Sequence, residues 1–355
     1  MKKVAILILV VVVLLVAYGV NSLFNSSSNN SMSTSVSKSN ITMYFTGDVM
    51  LGRNVESVLA SGQNVFANVD EMFKNSDGAV INLEDPMTTS STPYKSTIPL
   101  KANPAYAHVL KDNNIIVACL ANNHIMDYGD TGLNDTISAL KASGINYTGA
   151  GNNVDQSSKP VYLNIKDRKM AILNYMDNTT FTGFSASEMA AATSSSAGYA
   201  PADPNLIKKD IDEAKKNSDM VIVVFHYGNE YSTQPNTYQV TLSHACIDDG
   251  ADMVIGSHPH VIQTIETYNG KPIFYSLGNF VFDMSNSATH ESLMVEMDLN
   301  NNTANIKVHP MVLVNYMPQL MNNASSTQLL ENLKNESPVN MTITGGEGVI
   351  SFPIE

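Results

Sequence analysis

The stretch ADMVIGSHPH, residues 251–260, decides the fold because it shows where a strand ends and a polar loop begins. Its first half, ADMVI, is mostly apolar and typical of a strand, and the second half, GSHPH, holds two of the chain's eight histidines. Proline fixes its own φ angle and restricts the residue before it, so Pro259 stiffens the loop. The stretch therefore predicts a strand that presents His258 and His260 rigidly at its carboxyl end.

The same pattern, an apolar run followed by a small polar cluster, recurs four times between residues 41 and 228. The runs are ITMYF before TGD, GAVIN before LED, IIVACLA before NNH and MVIVVF before HYG. Helical patterns alternate with these runs, at Ala105–Asn113, Thr131–Ser143, Asn205–Asn217 and Tyr238–Asp249. Alternating strands and helices favour an α/β fold with much parallel sheet, in which ligands bind beyond the carboxyl ends of the strands.

The rest of the chain is less clearly patterned. KPIFYSLGNFVFD (271–283) and ESLMVEMDLN (291–300) are predicted to be antiparallel strands because of their alternation and turn residues. Residues 322–348 show only weak patterning. Cys119 and Cys246 belong to no CxxC motif and lie in apolar or helical surroundings, which favours two buried free thiols. A single domain over residues 41–355 is the simplest interpretation.

The first forty residues predict a membrane anchor followed by a tether. Lys2 and Lys3 precede an apolar run, residues 4–20, near the lower limit of about 17–25 residues for a membrane span. Cleaved signal peptides have shorter apolar regions of about 7–15 residues. Residues 1–20 are therefore predicted to be an uncleaved anchor with the domain outside the cell, and the alternative is cleavage and secretion. Residues 21–40 are rich in Ser and Asn and predict a flexible tether.

The net charge of −13 limits the classes of ligand. Nucleic-acid binding depends on basic surface, so this composition argues against it. A polyanionic substrate would need local positive charge, supplied either by a metal or by a cluster of Arg and Lys. Hydrophobic residues make up 43% of the sequence, enough for a sizeable core.

The polar residues at the predicted strand ends form the candidate site. Carboxylates, an amide oxygen and imidazoles suit borderline divalent metals such as Zn, Mn or Fe. Six ligands exceed the needs of one tetrahedral zinc and suit two metals about 3.5–4 Å apart that share a bridging carboxylate. The predicted metal ligands are Asp48, Glu84, Asn123, His226, His258 and His260.

Taken singly, each of these residues has a simpler interpretation. Asp48 could cap a turn or helix, Glu84 could be a solvated loop charge, and His226 could be a hydrogen-bonded core histidine. Their shared position at strand ends favours the joint site. His124, next to the candidate ligand Asn123, is predicted to be catalytic as a proton donor to the leaving group or a stabiliser of developing charge.

Six blocks of the chain, spread from about Thr42 to Asp283, resemble the bacterial CapA family. That family is named for poly-γ-glutamate capsule biosynthesis and belongs to the calcineurin-like metallophosphoesterase superfamily. The resemblance implies a four-layer α/β/β/α sandwich with a dinuclear metal centre on the six residues named above. The blocks are TGDVMLGR (46–53), NLEDP (82–86), ANNHIMDYG (121–129), GAGNN (149–153), FHYGNEY (225–231) and GADMVIGSHPHVIQTIETYNGKPIFYSLGNFVFD (250–283).

The chain departs from the superfamily pattern in two places. The usual first motif is Asp-x-His, but Met50 stands where the histidine is expected, and the second carboxylate is Glu84 rather than Asp. One of the two metals is therefore expected to bind weakly, to recruit another ligand or to be absent. Asp127 is given only a supporting role.

Three further residues inside the blocks are predicted to bind substrate: Arg53, Glu230 and Tyr231. Arg53 could pair bidentately with a phosphate or a carboxylate, and the alternative is a surface salt bridge. Gly278 and Asn279 are predicted to shape a tight turn rather than to contact substrate.

Three functions fit the resemblance. The first is synthesis, export or attachment of poly-γ-glutamate or a similar anionic polymer, with a membrane synthase complex as partner. The second is a generic surface metallophosphoesterase acting on a phosphomonoester or phosphodiester. The third is a non-catalytic, metal-stabilised scaffold. Family membership names a process and not a reaction, so the sequence leaves all three open.

Overall fold

A computed structural model describes residues 39–94, 97–179 and 190–354 of the chain. The predicted anchor lies outside the described residues, as does the predicted tether apart from Ser39 and Asn40. None of the helices in the described ranges combines the length and apolar character that a membrane crossing requires.

The described residues form alternating strands and helices. The α-helices are α1 (Arg53–Ala60), α2 (Asp70–Lys74), α3 (Ala107–Asp112), α4 (Gly129–Ala142), α5 (Val154–Ser157), α6 (Pro204–Asn217), α7 (Thr237–Asp248) and α8 (Asn323–Glu336). The strands are β1 (Ile41–Val49), β2 (Gly78–Leu83), β3 (Ile115–Cys119), β4 (Asn146–Thr148), β5 (Ala150–Gly151), β6 (Val161–Ile165), β7 (Arg168–Met176), β8 (Gly198–Tyr199), β9 (Met220–His226), β10 (Met253–Ser257), β11 (Ile265–Tyr268), β12 (Lys271–Phe274), β13 (Asn279–Val281), β14 (Glu291–Asn300), β15 (Thr303–Val314), β16 (Met317–Leu320), β17 (Thr342–Thr344) and β18 (Glu347–Pro353).

Two sheets contain most of the strands. The first sheet runs β17–β18–β15–β14–β1–β2–β3–β4, with β13 also paired to β1 and β16 to β15. The second sheet runs β11–β12–β10–β9–β7–β6, and β5 and β8 form a two-stranded sheet. Strands β1 to β4 are parallel neighbours, and so are β7, β9 and β10. The predicted α/β class is confirmed.

Three hydrophobic clusters give the order of the layers. Side chains alternate along a strand, so Tyr44 of β1 packs against Phe73 of α2, whereas Phe45 faces the second sheet and joins the cluster of Ile222. A third cluster joins the second sheet to α6 and α7, for example through Leu242. The two sheets therefore face each other, and helices cover their outer faces. Burying one such side chain contributes about 1.5–3 kcal/mol.

The four predicted helices correspond to α3, α4, α6 and α7, with ends that differ by at most two residues. Both cysteines are buried and free, as predicted.

The prediction for residues 271–283 is only half right. Strand β12 pairs antiparallel with β11 but parallel with β10, and β13 pairs parallel with β1 in the other sheet. The chain changes sheets at Gly278, whose φ of 74° is left-handed and easily adopted by glycine. In the weakly patterned region 322–348, α8 buries Ser326, Leu330 and Leu333. Two buried leucines are too few to mark a helix in the sequence.

Candidate metal centre

The candidate site lies where the carboxyl ends of strands from both sheets meet. In the first sheet, Asp48 of β1 is aligned with Asn82 of β2 and with Asn279 of β13. In the second sheet, His226 ends β9 and is aligned with Ser257 of β10. All five side chains belong to buried residues. The arrangement brings polar groups that are far apart in the sequence into one buried region.

The end of β1 approaches the turn before β13 very closely. The Asp48 amide donates to the Gly278 carbonyl at 3.1 Å. A Cβ added to Gly47 would lie 1.8 Å from the same carbonyl oxygen. Only glycine fits there, so Gly47 allows Asp48 to sit deep between the strands.

Asp48, Glu84 and His260 form a compact group whose potential ligand atoms all lie within 4.8 Å of one another. The His260 ring places Nδ1 at 3.4 Å from Asp48 Oδ2 and Nε2 at 3.7 Å from Glu84 Oε1. The Asn82 amide donates to Asp48 Oδ1 at 2.7 Å and to Glu84 Oε2 at 3.2 Å. Asn82 therefore orients both carboxylates toward the imidazole.

The charges of this group are poorly balanced. Asp48 and Glu84 are both fully buried. Among the described residues, neither forms an ion pair with Lys or Arg, and Glu84 Oε1 accepts no hydrogen bond. Burial and the neighbouring charge of Asp48 raise the pKa of Glu84 well above its usual range. Burial lowers the pKa of His260, but the hydrogen bond and the charge of Asp48 outweigh it and raise that pKa. A bound cation would offset this buried negative charge, so the donor set fits a divalent metal.

His226 links the remaining predicted ligands. Its Nε2 lies 2.8 Å from Asn123 Oδ1, and its Nδ1 lies 3.0 Å from Ser257 Oγ. Ser257 Oγ donates to the Phe225 carbonyl at 3.1 Å, and the Asn82 amide nitrogen lies 3.4 Å from His226 Nδ1, so Asn82 also reaches this ring. An amide oxygen and an imidazole nitrogen are both ligand types that divalent metals accept. The rings of His226 and His258 are 4.7 Å apart.

The loop His258-Pro259-His260 has an unusual backbone. His258 and His260 have φ angles of 96° and 58°, in the left-handed region that non-glycine residues rarely adopt. Such conformations cost about 1–3 kcal/mol each and persist where the surroundings enforce them. The two rings are 6.0 Å apart, and Asn279 Oδ1 accepts from His260 Nδ1 at 2.9 Å. The lone pair of His260 Nε2 is thereby directed toward Glu84.

His124, the predicted proton donor, follows Asn123 and is held by a carboxylate. Its Nδ1 lies 2.7 Å from Asp127 Oδ2, and that oxygen also accepts from the Leu100 amide at 2.6 Å. The His124 side chain is 12% exposed and that of Asp127 is fully buried. The buried Asp127 carboxylate holds the His124 ring in one orientation, so the supporting role expected of Asp127 is consistent with this contact.

The loop after β1 is held by two buried aspartates. Asp85 accepts from the Gly52 amide at 2.7 Å, and burial raises the pKa of Asp85 to about 7. Asp283 accepts from the Asn54 amide at 3.1 Å and pairs with Arg53 Nη2 at 2.8 Å. Arg53 therefore forms a salt bridge, one of its two sequence-based interpretations, and its substrate-binding role stays a prediction.

The other two residues predicted to bind substrate lie beside His260. Glu230 is exposed, and its carboxylate groups with His258 and His260 within 4.8 Å. Tyr231 is 50% exposed, and its ring centroid lies 6.4 Å from that of His260. Both are placed to meet a molecule that approaches from solvent.

Two residues of the site are missed by sequence reasoning. Asn82 stands in the sequence only as part of a motif, yet its amide contacts both buried carboxylates. Asn279 is predicted to shape a turn, yet it sets the orientation of His260. Asn82 is the last residue of the predicted strand GAVIN, and Asn279 lies near the end of the predicted strand 271–283. Their closeness to predicted strand ends is the signal that could have found them.

The residues of this site lie within a region shared with a known family. The family model described as bacterial capsule synthesis protein PGA_cap matches residues 42–284. The chain belongs to this family. All ten predicted site residues fall inside the PGA_cap match.

Two relatives share the same region. The PGA biosynthesis protein CapA of Bacillus subtilis (strain 168) is 39% identical over 273 residues, which cover 75% of this chain and 70% of the relative. The capsule biosynthesis protein CapA of Bacillus anthracis is 36% identical over 282 residues, 76% of this chain and 67% of the relative. A hypothetical protein from Thermus thermophilus, known as a crystal structure, aligns over 78% of this chain and 96% of its own with a TM-score of 0.47 and 14% identity. That likeness is too weak to assign an activity.

Proposed function

We propose that this protein is a membrane-anchored, extracytoplasmic accessory protein in the synthesis, export or attachment of poly-γ-glutamate or a similar anionic polymer. The PGA_cap match and the names of the two CapA relatives support the process. The anchor rests on Lys2, Lys3 and the apolar run 4–20. A membrane synthase complex is the expected partner.

The chemistry proposed is that of a dinuclear metal hydrolase on a metallophosphoesterase-like sandwich. One observation carries it: Asp48 and Glu84 are buried together, beside His260, without a Lys or Arg partner among the described residues. The metals would be divalent Mn, Zn or Fe. The six predicted residues would hold them, Asp48, Glu84 and His260 at one position and Asn123, His226 and His258 at the other.

When bound, such metals polarise the group under attack and generate hydroxide near neutral pH. The protein's own contribution is to position and to move a proton. His124, held through Nδ1 by Asp127, would donate to the leaving group from its other nitrogen. Because the chain carries a net charge of −13, a polyanion would be attracted chiefly by the metal charge.

The same His124–Asp127 pair favours a second candidate, a surface phosphoesterase without a polymer role. Protonation of an alkoxide leaving group is what phosphoester hydrolysis requires, and this pair could supply it.

Metal analysis of the purified full-length chain, combined with assays on a chromogenic phosphodiester and on poly-γ-glutamate, tests these proposals. We expect close to two metals per chain in the wild type. His258→Ala should lose at least one metal and about 100-fold or more of any activity. The matched control is His108→Ala, because His108 is exposed and its ring bonds to the carbonyl of Ala105, one turn earlier in the chain.

Each outcome decides between the functions. Cleavage of the polymer supports the first proposal, and cleavage of the phosphodiester alone supports the second. Full metal content without either activity supports the scaffold. Less than one metal per chain and no activity would overturn the metal centre altogether. Release of the chain from membranes by high salt alone would overturn the anchor.

A further inference from the structure

Glu230 lies on the solvent side of the metal centre and is tied to its stiff histidine loop. The Tyr231 amide donates to the Pro259 carbonyl at 2.8 Å, which fastens the loop after β9 to the loop after β10. This contact helps to hold the Glu230 carboxylate within 4.8 Å of potential ligand atoms of both His258 and His260. An exposed glutamate on an unattached loop would not be constrained in this way.

Two groups of potential ligands share His260: one with Asp48 and Glu84, the other with Glu230 and His258. Asn279 accepts from His260 Nδ1, so Nε2 is the nitrogen with a lone pair for a cation. That nitrogen lies 3.7 Å from Glu84 Oε1. Glu84 is buried and Glu230 is exposed, so the two groups lie on the buried side and the solvent side of His260.

The group on the buried side has few ligands of its own. Met50, two residues after Asp48, is fully buried in the hydrophobic cluster between the first sheet and its helices. It offers no ligand there, so Asp48, Glu84 and His260 supply three protein ligands. The centre therefore lacks one protein ligand expected from the motif, the histidine whose place Met50 takes.

We propose that Glu230 is a further protein ligand of this centre, on the side where its carboxylate groups with His258 and His260. The assignment rests on the metal centre proposed above and adds to it a residue from a different loop. It makes Glu230 part of the centre rather than a contact for substrate.

Manganese binding to the full-length chain, stripped of metal with chelator, tests this assignment without any activity assay. Electron paramagnetic resonance counts free Mn²⁺ during a titration and gives both stoichiometry and affinity. We expect Glu230→Gln to weaken one of two Mn²⁺ sites by about 10–100-fold or more. Asp48→Asn should also weaken Mn²⁺ binding, and Glu331→Gln, which removes an exposed charge on α8, should match the wild type.

The controls separate failure of this assignment from failure of the centre. If Asp48→Asn loses a site while Glu230→Gln binds like the wild type, Glu230 is not a ligand and the proposed centre stands. If the wild type binds no Mn²⁺, the proposed centre falls and the assignment falls with it. Glu230→Gln and Glu331→Gln should melt at the same temperature in chelator, which would show that folding is unaffected.

Discussion

Two buried glutamates at the first sheet, Glu84 and Glu296, have opposite electrostatic surroundings. Glu296 of β14 accepts from Tyr44 Oη at 3.0 Å and from His309 Nε2 at 2.9 Å, and it forms an ion pair with Lys307. Glu84 has His260 and the amide of Asn82 but, within the described residues, no Lys or Arg partner. The protein itself therefore balances the negative charge of Glu296.

The two pKa values differ accordingly. Burial alone would raise the pKa of Glu296, but its bonds to His309 and Lys307 outweigh burial and lower it to about 2. Burial and the charge of Asp48 raise the pKa of Glu84 well above its usual range. Neighbouring groups, and not burial, therefore decide whether the charge of a buried carboxylate is balanced by the protein.

The strongest test of this comparison is to remove the charge of Glu296, which the protein balances. We expect Glu296→Gln to lower the free energy of unfolding by about 2–3 kcal/mol, because Lys307 and His309 lose a charged partner. Urea denaturation in chelator measures it. Glu291→Gln, an exposed change on the same strand, should stay within about 0.5 kcal/mol of the wild type. Equal stability of Glu296→Gln and wild type would refute the contrast.

Removing the charge of Glu84 should change the free energy of unfolding in the opposite direction. In chelator at pH 8 we expect Glu84→Gln to raise the free energy of unfolding by about 1–2 kcal/mol, because it removes a buried charge and keeps an acceptor for Asn82. With Mn²⁺ at about 100 times its Kd, the wild type should gain about 2.7 kcal/mol and the variant less. A loss of stability in chelator would contradict this expectation.

The smallest effect is the pH dependence that Glu296 contributes. Its folded-state pKa of about 2 lies below the ordinary value of 4.5. Its stabilisation is therefore present above pH 4.5 and lost as the pH falls toward 2. Allowing for screening of a partly hydrated group, we expect a loss of about 1 kcal/mol between pH 6 and pH 3. Denaturation of the wild type and of Glu296→Gln at both pH values measures this loss. An equal change in the free energy of unfolding of the two proteins would count against the lowered pKa.

Much of the fold could be predicted because the strands that carry the site are simple. The run MVIVVF and the run ADMVI are buried on both faces, so they read as continuous apolar segments, as β9 and β10 confirm. The change of sheet between β12 and β13 could not be predicted, because one short turn at Gly278 decides it.

The position of the candidate site could be predicted, but the hydrogen bonds that connect its residues could not. Strand ends brought Asp48, Glu84, Asn123, His226 and the histidine loop together because parallel strands end at one edge. Which amide orients which imidazole depends on register between strands, and sequence patterns do not specify register. The roles of Asn82 and Asn279 therefore emerged only from the aligned pairs of β1 with β2 and β13.

The position of β1 between β2 and β14 has a consequence for how the chain folds. The bond from Thr42 Oγ1 to Asp298 joins residues 256 positions apart. At a synthesis rate of about 5–20 residues per second, one edge of β1 stays open for about 10–50 s before β14 exists. A chain cut at residue 284, the end of the family match, would keep that edge open permanently and invite aggregation through it.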